Sequence, residues 1–598
     1  MAEPQTAQDP ARTATVLAEV AERSSRLMGE FLQRQTGGKG LAYTDEFGVA
    51  KAFMDLSARM LSEPWKLAEA QTKMFLDYVA LWQSTALKMM GQSAKPVAEP
   101  AVGDNRFRDA DWQDHFLFDY IKQSYLIAAR HIHDAVSSVE GLPQDTQNRI
   151  NFFTRQYVDA LSPSNFALSN PQVLRETLLS GGQNLLRGLN NLLADLERGG
   201  GKLRVSMTDE TAFKVGVNVA TSPGKVIFQN DLMQLIQYAP STQTVFRQPL
   251  LIMPPWINKY YILDLREKNS FIRWAVAQGH TVFVISWVNP DERYAGKSFE
   301  DYMFEGPLAA LDAVERATGE REVNIIGYCL GGTLLGATLA WMAEKGDARA
   351  ASASFFVSLL DFSIPGELGV FIDEAQVESL ERRMNERGFL EGSEMAATFN
   401  MLRANDLVWS FVIHNYLLGK DPFPFDLLYW NSDSTRMPAT MHSFYLRNMY
   451  LENKLKDPGG VTLGGVSLDL RKITIPAYFI STVEDHIAPW KSTYKGARIL
   501  GGPVRFVLGG SGHIAGIVNP PAANKYGYWT SPQLPESAEV WQARAAKQDG
   551  SWWTDWQGWI SGRNGNGRVP ARVPGEGRLR AIEDAPGTYV QARIERTH

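Results

Sequence analysis

The residues with the most chemistry in their spacing are Gly327-Tyr328-Cys329-Leu330-Gly331, which hold the only cysteine of the 598-residue chain. Glycines two residues either side of a nucleophile are the mark of a nucleophile elbow. There a strained strand-to-helix turn lifts the reactive atom clear of the backbone, and small neighbours let other backbone come close. Cys stands here where Ser is usual, and the N-terminus of the following helix would favour its thiolate. A five-residue match arises by chance, and a buried structural cysteine is the competing reading. The flanks favour the elbow: VNII before it reads as a strand, and LGGTLLGATLAWMA reads as a buried helix.

An elbow needs an acid and then a histidine further along the chain. Asp485 closes the apolar stretch PAYFISTVED, and His513 closes PVRFVLGGSGH. Both fall at strand carboxyl ends, where open α/β sheets place their ligands. The rivals are His486 as base and Glu484 as acid. His486 is disfavoured because neighbouring side chains point apart, so it could not be oriented by Asp485. The oxyanion hole calls for the backbone N–H of Leu330 and one from the loop PPWINKYYILDL, where Trp256 or Ile257 would supply it. Asp264, the only acid in that loop, is as readily structural as functional. His115, His131 and His133 lie in an aromatic helical region; the last two, two residues apart, do not share a helix face, so no metal site follows.

Composition narrows the classes. Lys plus Arg is 60 against 66 Asp plus Glu, a net charge of -6, which offers no basic footprint for nucleic acid. A single cysteine excludes an intramolecular disulfide or a Cys-rich zinc site. No GxGxxG, GxxxxGK[ST] or HExxH stands at a plausible place, so no nucleotide, metal or other cofactor is expected. The N-terminus does not read as a secretory signal, and a cytoplasmic protein is the expectation. Nineteen uncharged residues, Ile325 to Ala343, meet the length of a membrane span. Their glycines and strand-like start favour strand, turn and buried helix, so no transmembrane segment is expected.

The elements divide the chain in two. Residues 1–204 read as a helical domain, with amphipathic stretches over 16–35 and 63–90 and a linker at 91–105. Gly199-Gly200-Gly201 stop its last helix. Residues 205–598 alternate apolar strands with helices: 245–255, 280–287, 323–329, 352–362, 476–485 and 503–513. That alternation is an α/β fold with a mostly parallel sheet. Residues 363–470, rich in aromatics, are too long for a connection and read as an inserted cap subdomain. The Gly/Pro/Arg-rich tail, 561–598, reads as a surface wrap. Trp552, Trp553, Trp556 and Trp559 read as core packing ahead of an apolar contact surface.

These motifs together resemble the class I polyhydroxyalkanoate synthases: PPWINKYYILDL, GYCLGGTLL, FDLLYWNSDSTRMP, STVEDHIAPW and GGSGHIAGIVNPP. The resemblance covers nearly all of the α/β part and the helical region more loosely. It implies an α/β-hydrolase-type fold with Cys329 as nucleophile, Asp485 as acid and His513 as base. It further implies that Trp430 serves dimerisation and Arg403 meets coenzyme A. The implied substrate is an (R)-3-hydroxyacyl-CoA, foremost (R)-3-hydroxybutyryl-CoA, joined to a growing polyester chain with release of CoA. A homodimer at the surface of cytoplasmic polyester granules, with granule-coat proteins as further partners, completes the implied setting. A Cys-dependent thioesterase or polyester hydrolase of the same fold is the alternative, and a non-catalytic granule scaffold is another.

All the candidate catalytic side chains lie beyond Gly201. Removing residues 1–204 should therefore leave the triad assembled while weakening dimerisation or granule association. Sizing and granule co-sedimentation of the truncated protein check this; normal behaviour in both would overturn the assignment.

Overall fold

Pro249 breaks what the sequence presents as one strand. It has no N–H for a ladder, and the run over 245–255 separates into Thr244–Phe246 and Leu250–Met253. Only the second joins the main sheet; the first pairs with Arg568–Pro570 of the tail. The structure is a computed structural model that describes residues 48–201, 203–563 and 567–593. The helix expected over 16–35 lies outside the described residues.

The described chain forms two compact units. The first comprises 48–209 and Phe399–Phe423. Its helices are α1 (Val49–Ser62), α2 (Pro64–Met89), α3 (Phe116–Ser137), α4 (Gln144–Ala160), α5 (Pro171–Leu179) and α6 (Gln183–Arg198). A buried charge cluster ties α2 to α3: Asp119 lies 2.6 Å from Lys88 and 3.0 Å from Lys122. The expected linker is itself fastened, because Gln123 Oε1 accepts the amides of Val97 (2.6 Å) and Ala98 (3.3 Å).

The second unit, 210–398 and the described residues from 424 onward, is built on an eleven-stranded sheet. Its strands are β1 (Gly224–Gln229), β2 (Met233–Tyr238), β3 (Leu250–Met253), β4 (Val282–Trp287), β5 (Val323–Tyr328), β6 (Ala350–Phe356), β7 (Ala477–Thr482), β8 (Val504–Gly509), β9 (Tyr528–Thr530), β10 (Ala546–Gln548) and β11 (Glu583–Asp584). The order across the sheet is β10-β9-β8-β7-β6-β5-β3-β4-β2-β1-β11. The six central strands, β3 to β8, pair in parallel, with antiparallel strands at both edges. Helices α7 (Phe271–Ala277), α8 (Ala309–Thr318), α9 (Leu330–Lys345), α10 (Asp426–Ser432), α11 (Ala439–Tyr445), α12 (Trp490–Ile499) and α13 (Trp552–Ser561) surround it. Each of β3, β4, β5 and β7 is buried along its whole length, which is why they read as unbroken apolar runs.

The uncharged stretch 325–343 is strand β5, a turn and α9, a helix buried from Leu330 to Ala340. Among the described residues no helix is long and apolar enough to cross a membrane. The hairpin β1–β2 has no counterpart among the expected strands. Its turn is set by Asn230, whose Oδ1 accepts the amides of Leu232 (3.0 Å) and Met233 (2.9 Å). The tail does more than wrap the surface, since β11 pairs with β1 and extends the sheet. The Trp-rich helix α13 is core: Trp552, Trp553, Trp556 and Trp559 are all buried.

The insertion expected over 363–470 is divided between the units. Phe399–Phe423 belongs with the helices of the first. Asn184 Nδ2 donates to the Leu417 carbonyl (2.8 Å), Arg187 Nε to that of Gly419 (3.1 Å), and Tyr416 Oη to Asp195. Gly188 allows this approach: a β-carbon there would stand 1.7 Å from the Tyr416 carbonyl oxygen. A chain lacking 1–204 would strip Phe399–Phe423 of these partners. Gly188→Ala should push the segment off α6 at a cost of roughly 1–3 kcal/mol or more, as overpacking against backbone does. Limited proteolysis should then cut within 399–423 many times faster than in the parent; an unchanged cutting pattern would contradict this packing.

Candidate active site

Cys329 follows β5 directly and caps α9, with φ 53° and ψ −120°. A β-carbon resists that conformation, and the packing holds it there. The Cys329 amide donates to the Phe356 carbonyl (2.9 Å), while its own carbonyl accepts the amides of Gly332 (2.9 Å) and Thr333 (3.3 Å). Gly331 is required by contact. Its β-carbon would lie 2.1 Å from the Met253 carbonyl oxygen, so α9 sits directly on the end of β3. Cys329 is partly exposed at the tip of the turn.

The loops after β7 and β8 bring the acid and the histidine together. His513 Nδ1 and Asp485 Oδ2 are 2.7 Å apart, both residues being buried. Asp485 Oδ1 accepts the amides of Ile487 (2.9 Å) and Ala488 (2.8 Å), so the loop's own backbone aims the carboxylate. With Nδ1 taken by Asp485, Nε2 is the imidazole nitrogen left to serve Cys329. Burial works against a charged His513, but the charges of Asp485 and Cys329 outweigh it and raise its pKa to about 10.

Further residues position this group without having been legible as site residues. The Tyr328 ring stacks on the imidazole at 5.9 Å and 24°. Trp552 and Trp553 donate their indole N–H groups to the carbonyls of Gly516 (2.9 Å) and Ile517 (2.8 Å), pinning the loop that carries His513. Tyr445 and Tyr450, from the insertion, pack edge to face at 5.7 Å, and the charge at Cys329 acts on both phenols. Burial, then neighbouring charge, pushes both pKa values up. Phe362 packs edge-on against both rings. The only available signal for the tyrosines was the aromatic richness of the insertion.

The remaining candidates are placed as follows. Leu330 is the first residue of α9, where helix amides have no internal acceptor. Pro254 and Pro255 have no N–H, so Trp256 and then Ile257 carry the first amides after β3. Glu484 is exposed, and the Asp485 carboxylate goes to His513, not to its neighbour His486. Asp264 is structural in its contacts: it is buried and accepts from Ser222 Oγ and Ser270 Oγ, each at 2.6 Å. Trp430 is buried and donates its indole N–H to the Lys259 carbonyl (2.7 Å). Arg403 lies in the first unit, exposed and paired with Asp406 (Nε to Oδ2, 3.0 Å). His115 caps α3 by accepting the Leu117 amide, and His131 pairs with Asp77 at 2.6 Å. Among the described residues no group of three or more His, Cys, Asp or Glu could hold a metal ion.

Known proteins share the sequence of this chain along almost its whole length. Residues 103–275 match the family described as Poly-beta-hydroxybutyrate polymerase (PhaC) N-terminus, and 249–520 match the alpha/beta hydrolase fold. The chain is 49% identical over 593 residues to the poly(3-hydroxyalkanoate) polymerase subunit PhaC of Rhizobium meliloti, covering 99% of this chain and 97% of that one. It is 49% identical to the poly(3-hydroxyalkanoate) polymerase of Methylorubrum extorquens, covering 98% and 97%. Against the PhaC subunit of Cupriavidus necator the identity is 42%, covering 94% of each. An α/β-hydrolase sheet with a cysteine at its elbow and full-length likeness at this level place the chain among the enzymes of the poly(3-hydroxyalkanoate) polymerase family.

Proposed function

We propose that the enzyme polymerises (R)-3-hydroxyacyl-CoA, foremost (R)-3-hydroxybutyryl-CoA, through an acyl-Cys329 intermediate served by His513 and Asp485. The observation that carries this reading is the 2.7 Å His513–Asp485 pair beside a cysteine on a strained turn. In this reading Cys329 reacts as a thiolate beside the His513 imidazolium. The thiolate attacks the thioester carbonyl, and the oxyanion is received by the amides of Leu330 and Ile257. The C–S bond to CoA breaks, His513 gives its proton to the departing thiolate, and CoA leaves. Neutral His513 then accepts the proton of the next 3-hydroxyl as that oxygen attacks acyl-Cys329.

Cysteine suits this sequence energetically. Thioester to thioester keeps the acyl group activated, so its passage to a hydroxyl is downhill; an acyl-serine would discard that drive before the ester forms. Water competes for the same intermediate, and the aromatic wall of buried Phe362 and Tyr445 with partly buried Tyr450 supports a site that excludes it. With one cysteine per chain, passing polymer between two thiols needs two subunits. The family resemblance extends the reading to a homodimer at a polyester granule, with Trp430 serving the dimer and Arg403 the CoA. In this reading the residues up to 204, with Phe399–Phe423, act as a helical domain and the rest of the chain as the catalytic one. A Cys-dependent hydrolase would use the same triad, and product decides between them: insoluble polyester from 3-hydroxybutyryl-CoA supports synthesis, and soluble acid alone overturns it.

Cys329→Ser should fold like the parent, yet polymer yield should fall by orders of magnitude. A hydroxyl is a far weaker nucleophile than a thiol of pKa about 8.5. Residual CoA release should end as soluble acid or stalled acyl-Ser. Polyester made at near the parent rate would refute the role given to the thioester.

The proton on His513 links the site to stability. Its folded pKa, raised from 6.5 to about 10, means that folding takes up a proton. The stability from this group is complete below pH 6.5 and is lost as pH rises through about 10. Asp485→Asn removes the largest upward push and leaves burial opposing the charge. Urea melts across this range should show the parent losing stability with rising pH and the variant losing less; parallel curves would refute the pairing.

A further inference from the structure

Lys259, in the loop after β3, is a lysine in the interior. Its side chain is 3% exposed, and that of its partner Asp433 is 2% exposed. A buried ammonium is costly unless each of its three N–H groups finds an acceptor. All three do. Nζ lies 2.9 Å from Asp433 Oδ1 and donates to the carbonyls of Val590 (2.7 Å) and Ala592 (2.9 Å). Burial lowers the Lys259 pKa and Asp433 works to restore it. The second Asp433 oxygen accepts Tyr261 Oη at 2.9 Å, and Arg593 Nε stands 3.7 Å from the first. One ammonium thus joins the loop after β3, the later stretch of the insertion and the last described residues of the chain.

The same loop is fastened on either side of Lys259. Trp430 donates to the Lys259 carbonyl at 2.7 Å. Upstream, Thr435 Oγ1 donates to the Trp256 carbonyl and the Thr435 amide to that of Ile257 (3.4 Å). In a trans peptide the C=O of one residue and the N–H of the next point in opposite directions. Turning the Trp256 carbonyl to Thr435 therefore directs the Ile257 N–H away from the insertion. The loop begins where Pro254 packs on Gly331, two residues from Cys329. Stability alone does not call for this ion pair, because apolar side chains of similar volume often replace buried pairs without loss. An ammonium gives what an apolar side chain cannot: three acceptors held in fixed directions.

We propose that Lys259 is a positioning residue for the oxyanion-binding loop. Its ammonium, closed by Asp433 and by the Val590 and Ala592 carbonyls, sets where the Ile257 amide stands, which makes the C-terminal segment a working part of the active site. This rests on the acyl-Cys329 reading. The test separates the oxyanion site from the nucleophile, because alkylation of a thiolate develops no oxyanion whereas acylation by a thioester does. Two readouts are taken on the full-length parent, on Lys259→Met and on a chain ending at Tyr589: first-turnover CoA release from 3-hydroxybutyryl-CoA, and the rate of Cys329 alkylation by iodoacetamide.

The parent should show both activities. In each variant CoA release should slow by about 100-fold while alkylation stays within about twofold, the size of effect expected when one oxyanion donor is misplaced. Lys259→Arg, which keeps the charge and the donors, should recover part of the acylation. Combining Lys259→Met with the shortened chain should add little to either alone. Equal loss of acylation and alkylation, or loss of neither, would overturn the proposal. If Lys259→Met fails to fold, the shortened chain, which leaves the Lys259–Asp433 pair in place, decides by the same two outcomes. A parent that releases no CoA would instead refute the polymerase reading, and this shows before any variant is compared.

Discussion

A non-glycine residue held at φ 53° is the constraint around which the second unit is arranged. Such a conformation costs on the order of 1–3 kcal/mol and persists only where surrounding packing over-determines it. Here β5 is buried throughout, and α9 is buried over most of its length. Each fully buried Leu of α9, such as Leu334 or Leu335, contributes roughly 1.5–3 kcal/mol. A few such side chains outweigh the strain at Cys329. The contact of Gly331 with the Met253 carbonyl then fixes how close α9 and β3 must come, and with it where the loop after β3 starts.

The partners of Cys329 are held by a different kind of force. Asp485 and His513 stand on short loops after adjacent parallel strands, whose register, Thr482 beside Gly509, brings the two loops to one sheet edge. Within those loops the orientation is polar. Backbone amides hold one carboxylate oxygen of Asp485, and indole N–H groups from α13 hold the carbonyls beyond His513. A buried carboxylate with both oxygens occupied can stay charged, and a charged Asp485 can keep an imidazolium where burial alone would expel the proton. The tryptophans of α13 thus contribute apolar packing and aim at once.

The insertion plays two parts. Its later stretch, 424–451, supplies the tyrosines beside Cys329 and, through Thr435 and Asp433, ties down the loop after β3. Its middle, Phe399–Phe423, belongs with the N-terminal helices. The boundary between the units is therefore not a single point along the chain. The linear reading placed one boundary near residue 204, because a glycine run is a local signal and a return of the chain from residue 399 is not.

What the sequence determined by itself was local and covalent. Cys329 is flanked by its glycines through peptide bonds, and its elbow needs only the strand before it and the helix after it. Asp485 and His513 were legible because each ends an apolar run, and a run buried on both faces announces a parallel strand wherever its neighbours lie. The six central strands follow from the same signal, though Pro249 had to be seen as a break. The short hairpin β1–β2 and edge strand β11 were missed, being partly polar and made by pairing. Tertiary structure decided which side chains from distant stretches meet: Tyr445 and Tyr450 with Phe362, Lys259 with Asp433 and the Val590 and Ala592 carbonyls, Gly188 with Tyr416. Spacing carries no record of such meetings. Backbone conformation is fixed within a few residues, whereas a contact across hundreds depends on the shape and polarity of surfaces that exist only once the chain has folded.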